Sequence, residues 1–127
     1  MILSENNNKL EVGSILNSVE LSEKISQILL DKKAKDVDVI KIENLTILAD
    51  FFILCTGTST THIRTLADEI IEKLREVGLE CHHMEGYESS KWILLDYGSV
   101  VVHIFHEEER KYYNLERLWS EGIITRK

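Results

Sequence analysis

The stretch from Lys91 to His106 constrains the fold more than any other. Two apolar runs rich in β-formers, Trp92 to Leu95 and Val100 to Phe105, flank Asp96-Tyr97-Gly98-Ser99. This pattern predicts a β-hairpin, because Asp bonds the backbone locally and Gly accepts positive φ without a Cβ clash. Both runs are apolar on both faces, so they belong inside a sheet with a cover on each side. Strand alternation sends Trp92, Leu94 and Asp96 to one face and Ile93, Leu95 and Tyr97 to the other. The Trp-Leu-Asp face, apolar with an acidic end, is the better candidate for covering by another molecule, since aromatic residues are frequent interface anchors.

At 127 residues the chain has the length of a single domain able to bury a core without staples. Residues 1–17, broken by Asn6-Asn7-Asn8 and Gly13, read as a flexible N-terminal arm, and residues 18–127 as the domain. Leu21, Ile25, Ile28 and Leu29 predict a helix running to about Lys35, with Ser18 or Ser22 as its cap and Lys32, Lys33 and Lys35 in its last turn. A first strand follows over Val37 to Ile42, ending at Glu43-Asn44, and a second, buried on both faces, over Phe51 to Thr56. Gly57-Thr58-Ser59-Thr60-Thr61 then opens the strongest helical stripe, Ile63, Leu66, Ala67, Ile70, Ile71, Leu74 and Val77, which Gly78 closes as a left-handed cap.

Leu79 to Met84 is a third strand, Glu85-Gly86 begins a turn, and the hairpin comes next. A last helix extends from Glu107 to about Glu121, with Tyr112, Leu115 and Trp119 on one face and Glu107, Glu108 and Glu109 near its N-terminus. The order αββαβββα describes an α/β (α+β) single domain with a five-stranded mixed sheet flanked by helices. The crossover from Phe51 through Met84 should be parallel and right-handed.

A formal net charge of -7 disfavours nucleic-acid phosphate as the main contact. It suits docking on a basic protein within an RNA-rich particle, where charge complementarity steers the encounter. Cys55 and Cys81 have no paired spacing and read as reduced thiols. No apolar run approaches the roughly 20 residues of a membrane span, and the N-terminus has neither a secretion nor a transit pattern. The expected location is cytoplasmic, with no membrane contact.

Three arrangements suggest chemistry. The Gly57-Thr58-Ser59-Thr60-Thr61 turn sits between a strand and a helix N-terminus, as a phosphate cradle would. It lacks the Lys and second Gly of a P-loop, and a capped strand-to-helix turn needs no ligand. Cys81, His83 and Glu85 would share a strand face near His103, and such side chains can together hold zinc. Same-face strand neighbours lie about 6.5 to 7 Å apart, which is wide for one ion, and no paired ligand spacing supports the site. Asp50, Asp96, Glu85 and His103 would make an acid/base cluster, but no activated nucleophile accompanies them; Ser59 and Ser99 are ordinary hydroxyls. No catalytic residue, metal ligand or cofactor is assigned on these grounds.

Several blocks, taken in order, carry a resemblance to a known family. Ala49-Asp50-Phe51-Phe52, Gly57-Thr58-Ser59, Glu85-Gly86, Trp92-Ile93-Leu94-Leu95-Asp96-Tyr97-Gly98, Val100-Val101-Val102-His103 and Tyr113-Asn114-Leu115-Glu116-Arg117-Leu118-Trp119 together resemble the Iojap family of ribosomal silencing factors, across roughly residues 20 to 121. The resemblance implies a nucleotidyltransferase-like fold without the catalytic acids. Gly57 is followed by no Asp-x-Asp, and the one such pair, Asp36 and Asp38, precedes the expected first strand.

The resemblance further implies a nonenzymatic translation repressor. Such a protein binds ribosomal protein fourteen of the large subunit, blocks joining of the small subunit when nutrients are scarce, and forms a homodimer when free. The partner-binding residues it implies are Glu85, Gly86, Trp92, Asp96, Tyr97 and Gly98, alongside Leu94 from the face argument and Ser99 at the rim. Ser99 departs from the family pattern, which has Asp there. The alternative from another class is a nucleotide- or metal-dependent transferase using the Gly57 turn and the Glu85/His103 neighbourhood.

Overall fold

The computed structural model describes residues 16–42, 49–113 and 123–127. Helix α1 spans Ser18–Asp31 and is capped by Asn17, not by Ser18 or Ser22. The Asn17 side-chain oxygen accepts the Glu20 N–H at 2.8 Å, and the Glu20 carboxylate accepts the Asn17 N–H at 3.1 Å. This reciprocal box satisfies donors that a serine already inside the helix cannot reach. Ser22 and Ser26 are instead buried, their hydroxyls donating to the carbonyls of Val19 and Ser22. The helix stops short of Lys35 because Lys33 adopts φ 68°, and the Ala34 N–H turns back to the Leu29 carbonyl at 2.9 Å. A lysine in the left-handed position leaves no glycine to mark the stop, so Lys32, Lys33 and Lys35 lie beyond the last helical turn.

Strand β1 (Lys35–Lys41), strand β2 (Phe51–Gly57) and helix α2 (Thr60–Glu76) follow. Ser59 caps α2 by accepting the His62 N–H, and Gly78 closes its end at φ 86°. Strand β3 is only His83–Glu85, shorter than the expected Leu79 to Met84, because the Leu79 N–H still caps α2 through the Leu74 carbonyl. Strands β4 (Trp92–Asp96) and β5 (Val100–His106) form the hairpin, helix α3 spans Glu107–Tyr113, and Ile123–Arg126 adds strand β6. The expectations for Leu115, Trp119, Glu43, Asn44 and residues 1–15 of the arm fall outside the described residues.

The sheet has six strands in the order β3-β4-β5-β2-β1-β6, one more than the sequence indicates. Its extra strand is four residues long and pairs antiparallel with β1, too short a run to announce itself. β2 and β5 are parallel neighbours, and every other adjacent pair is antiparallel. The two strands of the predicted crossover, β2 and β3, do run in the same direction, but β4 and β5 lie between them. Asp36 and Asp38 belong to β1 and do not precede it.

Alternation divides the sheet into two unequal faces. Val37, Val39, Ile53, Cys55, Ile93, Leu95, Val102 and Ile104 meet the apolar stripes of α1 and α2 in the main core. Ile40, Ile42, Ala49, Leu54 and Phe105 make a smaller core on the opposite face, with Phe52, Trp92 and Val101 half-buried around it. At the α3 end this second face holds a buried carboxylate, Asp38, which is 3% exposed. Arg110 of α3 donates to Asp38 Oδ2 at 2.7 Å and to Thr56 Oγ1 at 3.1 Å, and Arg126 of β6 clasps Asp38 through Nε and Nη2. One carboxylate therefore ties α3 and β6 to β1.

Removing one member of a buried ion pair leaves its partner desolvated and costs about 3–5 kcal/mol. Asp38→Asn is expected to lower the unfolding free energy in urea by about 3 kcal/mol. Asp36→Asn, whose contact with Arg126 is exposed, is expected to stay within about 1 kcal/mol of wild type. Equal effects from the two substitutions would contradict the burial argument.

Candidate functional site

The second face opens, at the end away from Asp38, into a groove of about 390 Å³. Ala49, Phe52, Leu94 and Val101 form its apolar walls, and His83, Glu85, Asp96 and His103 are its polar members. The hairpin and its parallel neighbour create it together. Leu94 stands opposite His103 across β4 and β5, and Phe52 opposite Val101 across β2 and β5, so alternate residues of three strands point the same way.

Of the eight residues assigned from the sequence, Glu85, Leu94 and Asp96 line the groove itself. Trp92 lies farther along the same face, half-buried, with its ring centroid 5.0 Å from that of Phe105 and 5.9 Å from that of His103. Gly86 and Gly98 shape the backbone around it, both with positive φ. A Cβ on Gly86 would come within 2.0 Å of the Trp92 carbonyl oxygen, so no other residue fits there. The Asp96 carboxylate accepts the Gly98 N–H at 2.8 Å, which is the local bond expected of an Asp-led turn.

Ser99 works through its main chain. Its carbonyl accepts both the Asp50 N–H at 2.7 Å and the Phe51 N–H at 3.1 Å, pinning the hairpin turn to the start of β2. Tyr97 is placed apart from the groove. Its ring turns into the main core beneath the helices, 6% exposed, and burial pushes its phenol well above the ordinary range.

His103 is the groove residue whose role sequence reasoning missed. Its Nδ1 accepts the indole N–H of Trp92 at 3.1 Å, which puts the proton of the neutral ring on Nε2. Burial without a carboxylate partner pushes its pKa down to about 4. The imidazole thus acts as a fixed acceptor that orients Trp92. The only signal in the sequence was its place two residues from Val101 and Phe105 on a strand, and that needed the β2–β5 register to become meaningful.

Of the expected acid/base cluster, Glu85, Asp96 and His103 line the groove and Asp50 does not. His83 Nε2 and Glu85 Oε2 are 2.6 Å apart at the exposed edge, while the Cys81 thiol turns to the carbonyls of His83 and Asp96. Among the described residues, no group of three or more His, Cys, Asp and Glu is placed to hold a metal ion. In the Gly57 turn, the Thr58 N–H is held by His62 Nδ1 at 3.0 Å and the His62 N–H by Ser59 Oγ at 3.0 Å. His62 Nε2 completes the bridge to the Lys32 carbonyl at 2.8 Å. Two donors that a phosphate would use, the Thr58 and His62 N–H groups, already have partners, and Gly57 answers to packing, since a Cβ there would meet Ile63 Cγ1 at 2.6 Å.

The neutral His103 gives a testable pH dependence. An unfolded imidazole titrates near 6.5, whereas the folded ring stays neutral down to about 4. Between those values the unfolded state binds the extra proton, so the contribution is fully present above pH 6.5, falls as pH drops, and levels off below about 4. His103→Gln keeps an oxygen acceptor for Trp92 but does not titrate. From pH 7.5 to 4.5 wild type should lose more unfolding free energy than this variant by on the order of 2 kcal/mol; parallel pH profiles would contradict a buried neutral ring.

Comparison with known proteins bears on the family and the fold. Residues 16–126 match the family model described as ribosomal silencing factor during starvation. A ribosomal silencing factor of Halalkalibacterium halodurans is 42% identical over 102 residues, covering 75% of this chain and 87% of that one. The mouse protein named mitochondrial assembly of ribosomal large subunit protein 1 is 30% identical over 98 residues, covering 73% of this chain and 42% of that one. A crystal structure of a protein from Chromobacterium violaceum superposes with a TM-score of 0.80 at 36% identity, over 82% of this chain and 87% of that one. With sequence, fold and length in agreement, the chain belongs to the ribosomal silencing factor, or Iojap, family.

Proposed function

We propose that this protein represses translation by docking on the large ribosomal subunit, at its ribosomal protein fourteen, and excluding the small subunit. The observation that carries the reading is the second sheet face. There Trp92, Leu94 and Asp96 stay half-buried beside an apolar groove, while the same strand's Ile93 and Leu95 are fully covered by helices. Family membership supports the class of function, and the name of the mouse relative points to the large subunit. The acidic rim of Glu85 and Asp96, on a chain of net charge -7, suits a basic protein partner.

The proposed action needs no chemistry from the chain. An aromatic anchor in a desolvated pocket supplies affinity, and the acidic rim supplies steering and register. Before docking, the same apolar face would pair with a second copy in the cytoplasm, so that dimer and ribosome complex exclude each other. Light scattering should then find one protomer per bound partner; a dimer retained in the complex would remove the shared-surface part of the reading.

Cosedimentation with purified large subunits, followed by a subunit-joining assay, tests the main proposal. Wild type is expected to bind and to inhibit joining. Trp92→Ala should weaken binding by about 2 kcal/mol or more, and Asp96→Lys should slow association with a stronger effect at low salt. A wild-type protein that leaves joining untouched would defeat the proposal.

A further inference from the structure

Between Glu85 and Trp92 the chain makes a tight excursion, Gly86 to Ser90, that is fastened from the far side of the sheet edge by α2. Arg64 is the centre of the fastening. Its Nε donates to Ser90 Oγ at 2.5 Å and to the Tyr87 carbonyl at 3.3 Å, and its Nη2 donates to the Glu88 carbonyl at 2.6 Å. The guanidinium carbon also lies 5.7 Å from the centre of the Tyr87 ring. One helical turn on, Asp68 accepts the Tyr87 hydroxyl through both oxygens, at 3.0 and 3.1 Å. Ser90 is fully buried at φ 57°, its hydroxyl donating to the Tyr87 carbonyl and its N–H to the Gly86 carbonyl.

None of these four side chains lines the groove. They do fix both of its neighbours in the chain, since Glu85 enters the turn and Trp92 leaves it. We infer that Arg64, with Asp68, is a positioning residue for docking: the pair holds the Gly86–Ser90 turn in one conformation before the partner arrives, and so sets where Glu85 and Trp92 stand. The inference rests on the docking reading above. A loose turn would have to be ordered at the moment of binding, and that ordering cost would be subtracted from the affinity. Arginine is required because a planar fork reaches three acceptors at once, which a lysine ammonium on a flexible stem does not reproduce.

Arg64 is on the exposed face of α2, so Arg64→Ala leaves the core intact. The test titrates labelled wild type, Arg64→Ala and Arg64→Lys with purified large subunits, and measures thermal midpoints and amide exchange of residues 86–92 in the free proteins. Ile70→Val, in the main core, serves as a destabilised control that does not touch the turn. About tenfold weaker binding by Arg64→Ala is expected, with little rescue by Arg64→Lys and faster exchange at Gly86 to Ser90. Ile70→Val should bind within about twofold of wild type despite a lowered midpoint.

Wild-type affinity in Arg64→Ala, while Trp92→Ala still loses binding, would overturn the inference and leave the docking reading standing. An equal loss in Ile70→Val would overturn it too, because affinity would then merely follow stability. Failure of wild type to bind would remove both.

Discussion

The parallel pairing of β2 with β5 is the constraint on which the rest of the structure depends. It runs without a break from Phe51 opposite Val100 to Gly57 opposite His106, and Ser99 anchors its start by accepting two successive N–H groups. A one-residue slip would turn the core-facing side chains of the slipped strand to the opposite face of the sheet. In the observed register Ile53, Cys55, Val102 and Ile104 all go under the helices, while Phe52, Leu54, Val101 and His103 all go to the groove side. The groove follows from that register, because its floor and one wall come from β2 and β5 together.

The two faces handle polarity differently. Beneath the helices the core is almost purely aliphatic, and Tyr97 is buried there with its hydroxyl unpartnered among the described residues. The second face carries Asp38 and His103, both buried: a pair of guanidinium groups meets the carboxylate, and the Trp92 indole meets Nδ1 of the imidazole, whose Nε2 has no hydrogen-bond partner among the described residues. Buried polar groups are tolerable when hydrogen-bonded and costly otherwise. Placing them here stiffens the sheet at one end and fixes an aromatic side chain at the other.

Local signals in the sequence carried far, and non-local ones did not. The hairpin, its Asp-Gly turn, the stripe of α2 and the opposed faces of β4 all follow from patterns within a few residues. The Asn17 cap was also written locally, as Asn with Glu three residues on, but two serines nearby offered the same chemistry. The stop at Lys33 had no glycine to reveal it, and β6 is too short to show a period. Tyr97 shows the limit for the site. Family motif grouped it with Trp92 and Asp96, while the strand alternation that assigned it to the other face is what the fold obeys. The roles of Arg64 and of the His103–Trp92 bond were beyond reach, because they come from partners 24 and 11 residues away, although His103 was placed near Glu85 and Asp96 from the sequence.

The state of its polar groups also explains how such a face can serve for docking. Covering it with a partner removes water from Trp92, Leu94, Phe52 and Val101 at a gain proportional to apolar area. His103 incurs no new penalty, since it is already neutral and already desolvated. Gly98 already occupies one oxygen of Asp96, and His83 one oxygen of Glu85. Each carboxylate keeps a second oxygen at the rim, and those are the groups a wrong partner would leave desolvated and unpaired. Apolar area alone would make the face adhesive; under the proposed docking, the two carboxylates at its rim would make it selective for a surface that brings positive charge to the same place.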